Sequence, residues 1–366
     1  MVDLSNISVV LPSLDPDDKL IAVVNGLLEY GFTDIILVND GSKPETLHYF
    51  ETAAQNPQVH LLHHSVNRGK GAALKTAFRW FLENRPHAVG VVTVDGDNQH
   101  HPEDTRACAL RMAETEKIIL GVRDFDQPDV PPRSRTGNKI TSWVFQVFVG
   151  MTISDTQTGL RAIPRPALEI LIDIQGDRFE YETNMLLAMQ ERSLSFEEVK
   201  IRTVYIEENK SSHFRAVQDS WRIYKLILAH FFKYTASSLT CALADEGMYL
   251  LLTFLLHKGL SGVMLTAAAV FGARLVSSLL NFYLNRKLVF HSSGNVWTAL
   301  GKYYALAVPV ALLQLLATEG VYRLLHIGET LVLARSVYHI LVMVVLYFIS
   351  FLVQQRWVFA AKKNNQ

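Results

Sequence analysis

Cysteine is almost missing from this chain: Cys108 and Cys241 are the only two among 366 residues, far apart and without metal-ligand spacing. That excludes a disulfide framework and suits a reducing compartment for the first part of the chain. An excess of either charge is missing too, because 35 lysines and arginines balance 35 aspartates and glutamates, so nothing global points to nucleic acid. The N-terminus lacks a basic segment followed by an apolar core, and no cleaved signal peptide is expected. Gly69-Lys70-Gly71 invites a phosphate-loop reading, but the Gly-x-x-x-x-Gly-Lys-Ser/Thr frame is absent. Apolar residues, in contrast, make up 49% of the chain, with the excess after Phe231. The length leaves room for about two domains, so the second is expected to be the more apolar.

The stretch that organises the first half is Val91-Val92-Thr93-Val94-Asp95-Gly96-Asp97-Asn98-Gln99-His100-His101-Pro102. A β-branched run fits a strand buried on both faces, and ligands of open α/β sheets bind where such strands end. Asp95, Asp97 and Gln99 follow at intervals of two. Two carboxylates and a carbonyl oxygen make a hard, oxygen-only site for Mg²⁺ or Mn²⁺, which would keep waters and take further ligands from a substrate diphosphate. Standing alone, the same residues would read equally well as a solvated acidic turn.

The surrounding pattern alternates strands and helices. Strands are expected at 7–11, 34–40, 59–63 and 118–122, and helices at 17–30, 44–56, from 67–71 to 84, and from Pro102. The alternation predicts a mostly parallel sheet covered by helices, with a crevice lined by Asp40, Asp95 and Asp97. Arg68 and Lys70, at a helix N-terminus, either hold an anion or cap the helix. Further on, Arg123 leaves a strand, and Pro131-Pro132-Arg133-Ser134-Arg135 precedes a helix from Thr136 that carries Trp143, Val144, Phe145, Val147 and Phe148. Arginines beside an aromatic amphipathic helix would suit an anionic acceptor whose tail lies in lipid; a core helix with surface arginines is the alternative. Asp155 and Arg161 bracket a turn, and Phe179-Glu180-Tyr181-Glu182 opens a helix, with carboxylates that serve as base or as brace. A strand at 198–206 is followed by a polar loop whose Lys210, His213 and Arg215 either close over a diphosphate or merely connect.

Five motifs in this order carry a resemblance: Val9-Val10-Leu11-Pro12, Val38-Asn39-Asp40-Gly41-Ser42, Asn67-Arg68-Gly69-Lys70-Gly71, Asp95-Gly96-Asp97-Asn98-Gln99 and Asp155-Thr156-Gln157-Thr158-Gly159-Leu160-Arg161. Residues 7–222 resemble family 2 glycosyltransferases of the polyprenyl-phosphate branch, with Asp15 where that family more often has Glu. The resemblance implies an α/β, GT-A-like nucleotide-sugar-binding domain in which Asp40 recognises the base and Asp95, Asp97 and Gln99 share Mg²⁺ or Mn²⁺. It implies donor contacts from Pro12, Asp15, Asp40, Lys70, Asp95, Lys210, His213 and Arg215. Asp97, Asp155 and Arg123 form the implied catalytic set, and Arg123, Arg133 and Arg135 are expected on the acceptor phosphate. The implied reaction is inverting transfer of one hexose from a UDP- or GDP-sugar to a polyprenyl phosphate at the cytoplasmic membrane face, for cell-envelope glycosylation. A processive polysaccharide synthase would need Gln-x-x-Arg-Trp in the soluble domain, whereas Gln354-Gln355-Arg356-Trp357 has the wrong spacing and follows the last apolar segment. A sugar-lipid translocator whose soluble domain only binds would not need Asp40, Asp95, Asp97 and Gln99 intact.

The second half begins with a basic and aromatic stretch, 220–233, that suits a cytoplasmic membrane interface. Four apolar segments follow at 234–256, 263–284, 303–325 and 331–353, each near the roughly 20 residues a bilayer demands. Glu246-Gly247-Met248-Tyr249 recurs as Glu319-Gly320-Val321-Tyr322. Phe282-Tyr283-Leu284-Asn285-Arg286-Lys287-Leu288-Val289-Phe290 recurs loosely as Phe351-Leu352-Val353-Gln354-Gln355-Arg356-Trp357-Val358-Phe359. Two tandem helical hairpins are expected, and the pattern resembles a GtrA-like four-helix membrane domain. The chain thus divides into a cytoplasmic transferase domain (1–219), an interface helix (220–233) and a transmembrane domain (234–366). Arg286, Lys287, Arg356, Lys362 and Lys363 follow the even segments and Lys233 and Lys302 precede the odd ones, against Lys258, Arg323 and Arg335 on the other side. Both termini are therefore expected in the cytoplasm, in a multi-pass protein of the cell membrane. Asp245, Glu246 and Arg274 fall inside apolar segments, where each costs about 2.5 to 3.5 kcal/mol at mid-membrane, so partners are expected: an Asp245 or Glu246 pairing with Arg274, with a polar path for a lipid headgroup as the alternative. A homo-oligomer is compatible with this layout.

Overall fold

The computed structural model describes residues 4–127, 130–202, 216–260, 262–290, 292, 294–325 and 332–359. The chain divides into two compact units, Met1–Ile227 and Leu228–Gln366. In the first, seven strands form one sheet: β1 (Ile7–Ser13), β2 (Ile35–Asn39), β3 (Val59–His63), β4 (Gly90–Thr93), β5 (Ile118–Arg123), β6 (Arg161–Pro164) and β7 (Phe196–Ile201), in the order β3-β2-β1-β4-β6-β5-β7. All neighbours pair in parallel except β6, which runs antiparallel to both β4 and β5. Successive residues of the central strands enter opposite cores. Val10, Ile36, Val38 and Val91 pack on one face with Phe78, Phe81 and Tyr181, while Val9, Leu11, Ile35, Leu37 and Val92 pack on the other with Leu20, Phe50 and Met112. Burial on both faces is why these strands read as continuous apolar runs rather than alternating ones.

The helices are α1 (Lys19–Glu29), α2 (Leu47–Ala53, after a 3₁₀ turn at Pro44–Thr46), α3 (Lys70–Asn84), α4 (Pro102–Thr115), α5 (Pro132–Val144), α6 (Arg165–Leu171) and α7 (Glu180–Glu191). Three expectations need correction. The strand expected at 198–206 begins two residues earlier, at Phe196, pairing with Ile118, and ends at Ile201; residues 203–206 lie outside the described residues. The helix expected from Thr136 begins at Pro132, because proline suits the first helical turn, where its missing N–H costs nothing. Strand β6 replaces what the sequence shows only as part of a turn: it is four residues long, holds Arg161 and ends in Pro164, so no periodicity marks it.

The second unit contains most of α8 (Ala216–Leu256), then α9 (Gly262–Leu284), α10 (Val296–Leu324) and α11 (Val332–Val353), with π turns at Asn285–Val289 and Gln354–Val358. Phe231–Leu256, Met264–Val289, Val296–Thr318 and Ile340–Val358 are long and apolar enough to cross a bilayer. The recurring nonapeptides coincide with the two π turns and meet each other. Asn285 Nδ2 donates to Gln354 Oε1 at 3.1 Å, and Gln354 Nε2 donates to the Tyr234 hydroxyl at 3.1 Å. Phe290 stacks on Phe359 at 5.2 Å, while the reciprocal pairs Phe282–Phe359 and Phe290–Phe351 lie at 5.7 and 6.0 Å. Each hairpin end thus supplies a side-chain amide and two rings to one shared contact.

Candidate active site

Strands β1, β2 and β4 end on the same edge of the sheet, and a cavity of about 400 Å³ opens there. Pro12, Asp15, Asp40, Lys70, Asp95 and Asp97 all line it, so six expected site residues scattered over 86 positions converge. Lys210, His213 and Arg215 lie outside the described residues.

Asp40 is buried and heavily engaged. Its Oδ1 lies 2.6 Å from His64 Nδ1 and accepts the Arg68 N–H at 3.0 Å, while Oδ2 accepts the Gly69 N–H at 2.7 Å. The carboxylate therefore locks the loop leading into α3. Gly69 takes φ +101°, and a Cβ there would meet Asp177 O at 2.3 Å, so the close approach of the loop to the segment before α7 requires glycine. Asp15 also adopts a positive φ, +46°, and clasps the loop after β2: its N–H donates to Ser42 Oγ at 2.8 Å and its Oδ1 accepts the Lys43 N–H at 2.8 Å.

Lys70 opens α3 and points its ammonium between two carboxylates, 2.7 Å from Asp95 Oδ1 and 3.0 Å from Glu182 Oε1. Burial by itself would lower its pKa, but those two carboxylates outweigh it and hold the ammonium above the usual lysine range. In the sequence Glu182 stands out only as part of a helix start. Its signal is its place in the first turn of α7, which becomes meaningful only once α7 packs against α3. Burial opposes ionisation of Asp95, yet Lys70 and His100 bring its carboxyl down to about 2. Asp97 is the opposite case, since burial and the charge on Asp95 push it up to about 6.

Two close carboxylates with opposed shifts form a donor set that a divalent cation fits, because the cation favours both ionised forms at once. Among the described residues no three His, Cys, Asp or Glu side chains gather closely enough to enclose an ion alone. Asp95 and Asp97 by themselves make an open site rather than a closed protein cage, and Gln99, expected as a third ligand, is not among the residues that line the cavity.

The antiparallel course of β6 delivers the Asp155–Arg161 motif to the same sheet edge. Thr93 Oγ1 donates to Gly159 O at 2.7 Å and accepts the Arg161 N–H at 3.2 Å. A Cβ on Gly159 would stand 2.2 Å from Asp95 Oδ2, so this glycine is the bed on which the carboxylate rests. Gly159→Ala should displace Asp95, weakening Mn²⁺ binding about 10- to 100-fold with the fold intact. Titration by electron paramagnetic resonance beside a thermal melt checks this, and unchanged affinity would remove Gly159 from the site.

Asp155 is fully buried. Its carboxylate accepts Arg123 Nε at 2.7 Å, Arg123 Nη2 at 3.2 Å, and the N–H groups of Gln157 and Arg123 at 3.1 and 3.4 Å. So saturated a carboxylate is a brace for Arg123. Arg123 also lines a second cavity of about 520 Å³, between β5, α5 and β7, beside the exposed Trp143. Of the other residues on α5, Val144 and Phe145 are buried, and Val147 and Phe148 half-buried in the turn that follows. Arg135 is not placed as expected: its Nε donates to Phe125 O at 2.9 Å and its Nη2 to Gln127 O at 2.7 Å. The early start of α5 puts it inside the helix, folded back on the loop after β5. The side chain of Arg133 lies outside the described set. Arg161 is buried, donating to Thr158 O at 3.1 Å and Glu182 O at 2.7 Å, which ties the motif to α7.

Residues 8–169 match the glycosyl transferase family 2 profile, and residues 233–359 match that of the GtrA/DPMS transmembrane domain. The UDP-N-acetylglucosamine–dolichyl-phosphate N-acetylglucosaminyltransferase of Methanococcus voltae is 26% identical over 219 residues, 55% of this chain and 86% of its own. The undecaprenyl-phosphate mannosyltransferase of Micrococcus luteus is 30% identical over 161 residues, 41% of this chain and 64% of its own. Among solved structures, glucosyl-3-phosphoglycerate synthase of Mycobacterium tuberculosis superposes with a TM-score of 0.46 at 15% identity, covering 61% of this chain and 77% of that one. The chain is therefore a glycosyltransferase of the membrane, in which a family 2 domain precedes a GtrA/DPMS transmembrane domain.

Proposed function

We propose that this chain transfers a single hexose from a UDP- or GDP-sugar to a polyprenyl phosphate at the cytoplasmic membrane face, with inversion at the anomeric carbon. The observation that carries the reading is the meeting of the Asp95–Asp97 carboxylates and Lys70 at one cavity, with the Arg123–Asp155 pair brought to the same sheet edge by β6. Mg²⁺ or Mn²⁺, held by Asp95, Asp97 and Gln99, would supply charge stabilisation to the departing nucleotide diphosphate. Lys70 adds a second positive charge on the donor side. Arg123, oriented by Asp155, serves the acceptor phosphate. A phosphate monoester has its second pKa near 6, so at neutral pH its attacking oxygen already lacks the proton and no protein base is required.

The test is to incubate membranes containing the full chain with a panel of nucleotide sugars and identify the lipid product by mass spectrometry. A polyprenyl-phosphate hexose from one donor supports the reading. Polymer, or no sugar released from any donor, overturns it in favour of a synthase or a binding-only translocator. Topology is tested separately: a reporter fused after Gln366 should report cytoplasm, and one inserted near Gly259 the opposite side. Matching compartments would sink the two-hairpin layout.

A further inference from the structure

The second unit carries charge where a bilayer tolerates it least. Glu246 lies fifteen residues after Phe231, where the first apolar span begins, and Arg274 lies fifteen residues before Val289, where the second ends. At 1.5 Å per residue both stand about 22 Å from the same end of their hairpin, at one depth. Contact within the chain agrees, since Arg274 Nη1 approaches Asp245 Oδ2 at 3.6 Å and Ser277 Oγ donates to Asp245 Oδ1 at 2.7 Å.

That cluster is incomplete. Asp245 is only 23% exposed and has two partners, but the Arg274 side chain is 73% exposed. Glu246 is exposed, and among the described residues no basic side chain pairs with it. Their neighbours Leu243, Leu250, Phe271 and Leu275 are exposed too, which is ordinary for a lipid-facing surface. An uncovered Glu and Arg at that depth are not ordinary, because ionisable groups inside a membrane face protein or a water-filled cavity.

We propose that a second copy of this chain covers the face, with Glu246 of each copy paired to Arg274 of the other. A two-fold axis along the membrane normal preserves depth and exchanges left with right. A negative and a positive group side by side at one depth are therefore self-complementary under that operation, and a single axis between them creates two identical salt bridges. The leucines and Phe271 around them supply the packing that excludes lipid.

The experiment uses the full chain in nanodiscs, with mass measured by light scattering across a dilution series. A dimer is expected, weakened at least tenfold by Glu246→Gln, which leaves the Asp245–Arg274 pair untouched, and abolished by Glu246→Arg. A second measurement guards against misfolded variants. Two differently tagged copies are co-expressed, one with Glu246→Cys and the other with Arg274→Cys, so that the reciprocal salt bridge survives. Oxidation should join the two tags far more often than the control combination of Leu313→Cys with Ile340→Cys. A monomeric wild type, or a Glu246→Arg dimer as tight as wild type with no preferential cross-link, overturns the proposal and leaves the charges to a lipid headgroup.

Discussion

Asp97→Asn is expected to lower sugar transfer by about 10³-fold while leaving the protein folded and inserted, because it removes a charged metal ligand from a strand end and disturbs no core contact. The sign of its effect on stability separates this role from a structural one. In the folded protein the Asp97 carboxyl is raised to about 6 from 3.8, by burial and by the charge on Asp95. The ionised form at pH 7 is then disfavoured relative to the unfolded chain, so the folded state loses stability as pH rises through that window. Neutralising Asp97 should leave the melting temperature at pH 7, without metal, unchanged or higher. A structural carboxylate would behave oppositely. The same shift makes protons compete with the cation: Mn²⁺ affinity should fall below about pH 6, approaching tenfold per pH unit. Normal turnover by the variant, or by wild type in excess chelator, would refute the metal assignment.

The second large effect is expected at the Arg123–Asp155 pair. Arg123→Ala leaves a fully buried carboxylate without its guanidinium. Breaking a buried pair costs about 3 to 5 kcal/mol, and the lower end applies because Arg123 is itself 24% exposed. This variant should be both less stable and inactive, so it cannot assign a role by itself. Asp155→Asn is the informative change. Its carbonyl can keep accepting N–H bonds from the 123–157 neighbourhood, while Arg123 loses the charge that aims it. The acceptor KM should rise about 10- to 100-fold with donor affinity unchanged, and the pH profile should keep its shape. If instead the variant is dead at pH 7 and recovers steeply at higher pH, Asp155 is a base and the reaction needs one.

Much of this site was legible along the chain, for a physical reason. A parallel sheet places its ligand site at strand ends, and strands buried on both faces announce themselves as apolar runs that stop at polar turns. Asp40, Asp95 and Asp97 each follow such a run, and membrane spans are legible because a bilayer sets a minimum apolar length. Most contacts between distant segments were not legible; the Asp245–Arg274 pair was, because an ionisable group inside an apolar segment must find a partner. That Asp155 is a brace depends on β6 turning back antiparallel, which four residues cannot signal by period. That Lys70 also meets Glu182 could not be read along the chain, because only the packing of α7 brings that carboxylate to 3.0 Å from its ammonium. Arg135 looked like a phosphate ligand because charge is visible in a sequence, whereas the two carbonyls that occupy it are groups every residue carries. Residue types alone thus determined the chemistry available to this protein and the halves that hold it. The partner of each charge was decided by tertiary packing, because Coulomb and hydrogen-bond energies depend on distances of a few ångströms that sequence separation does not encode.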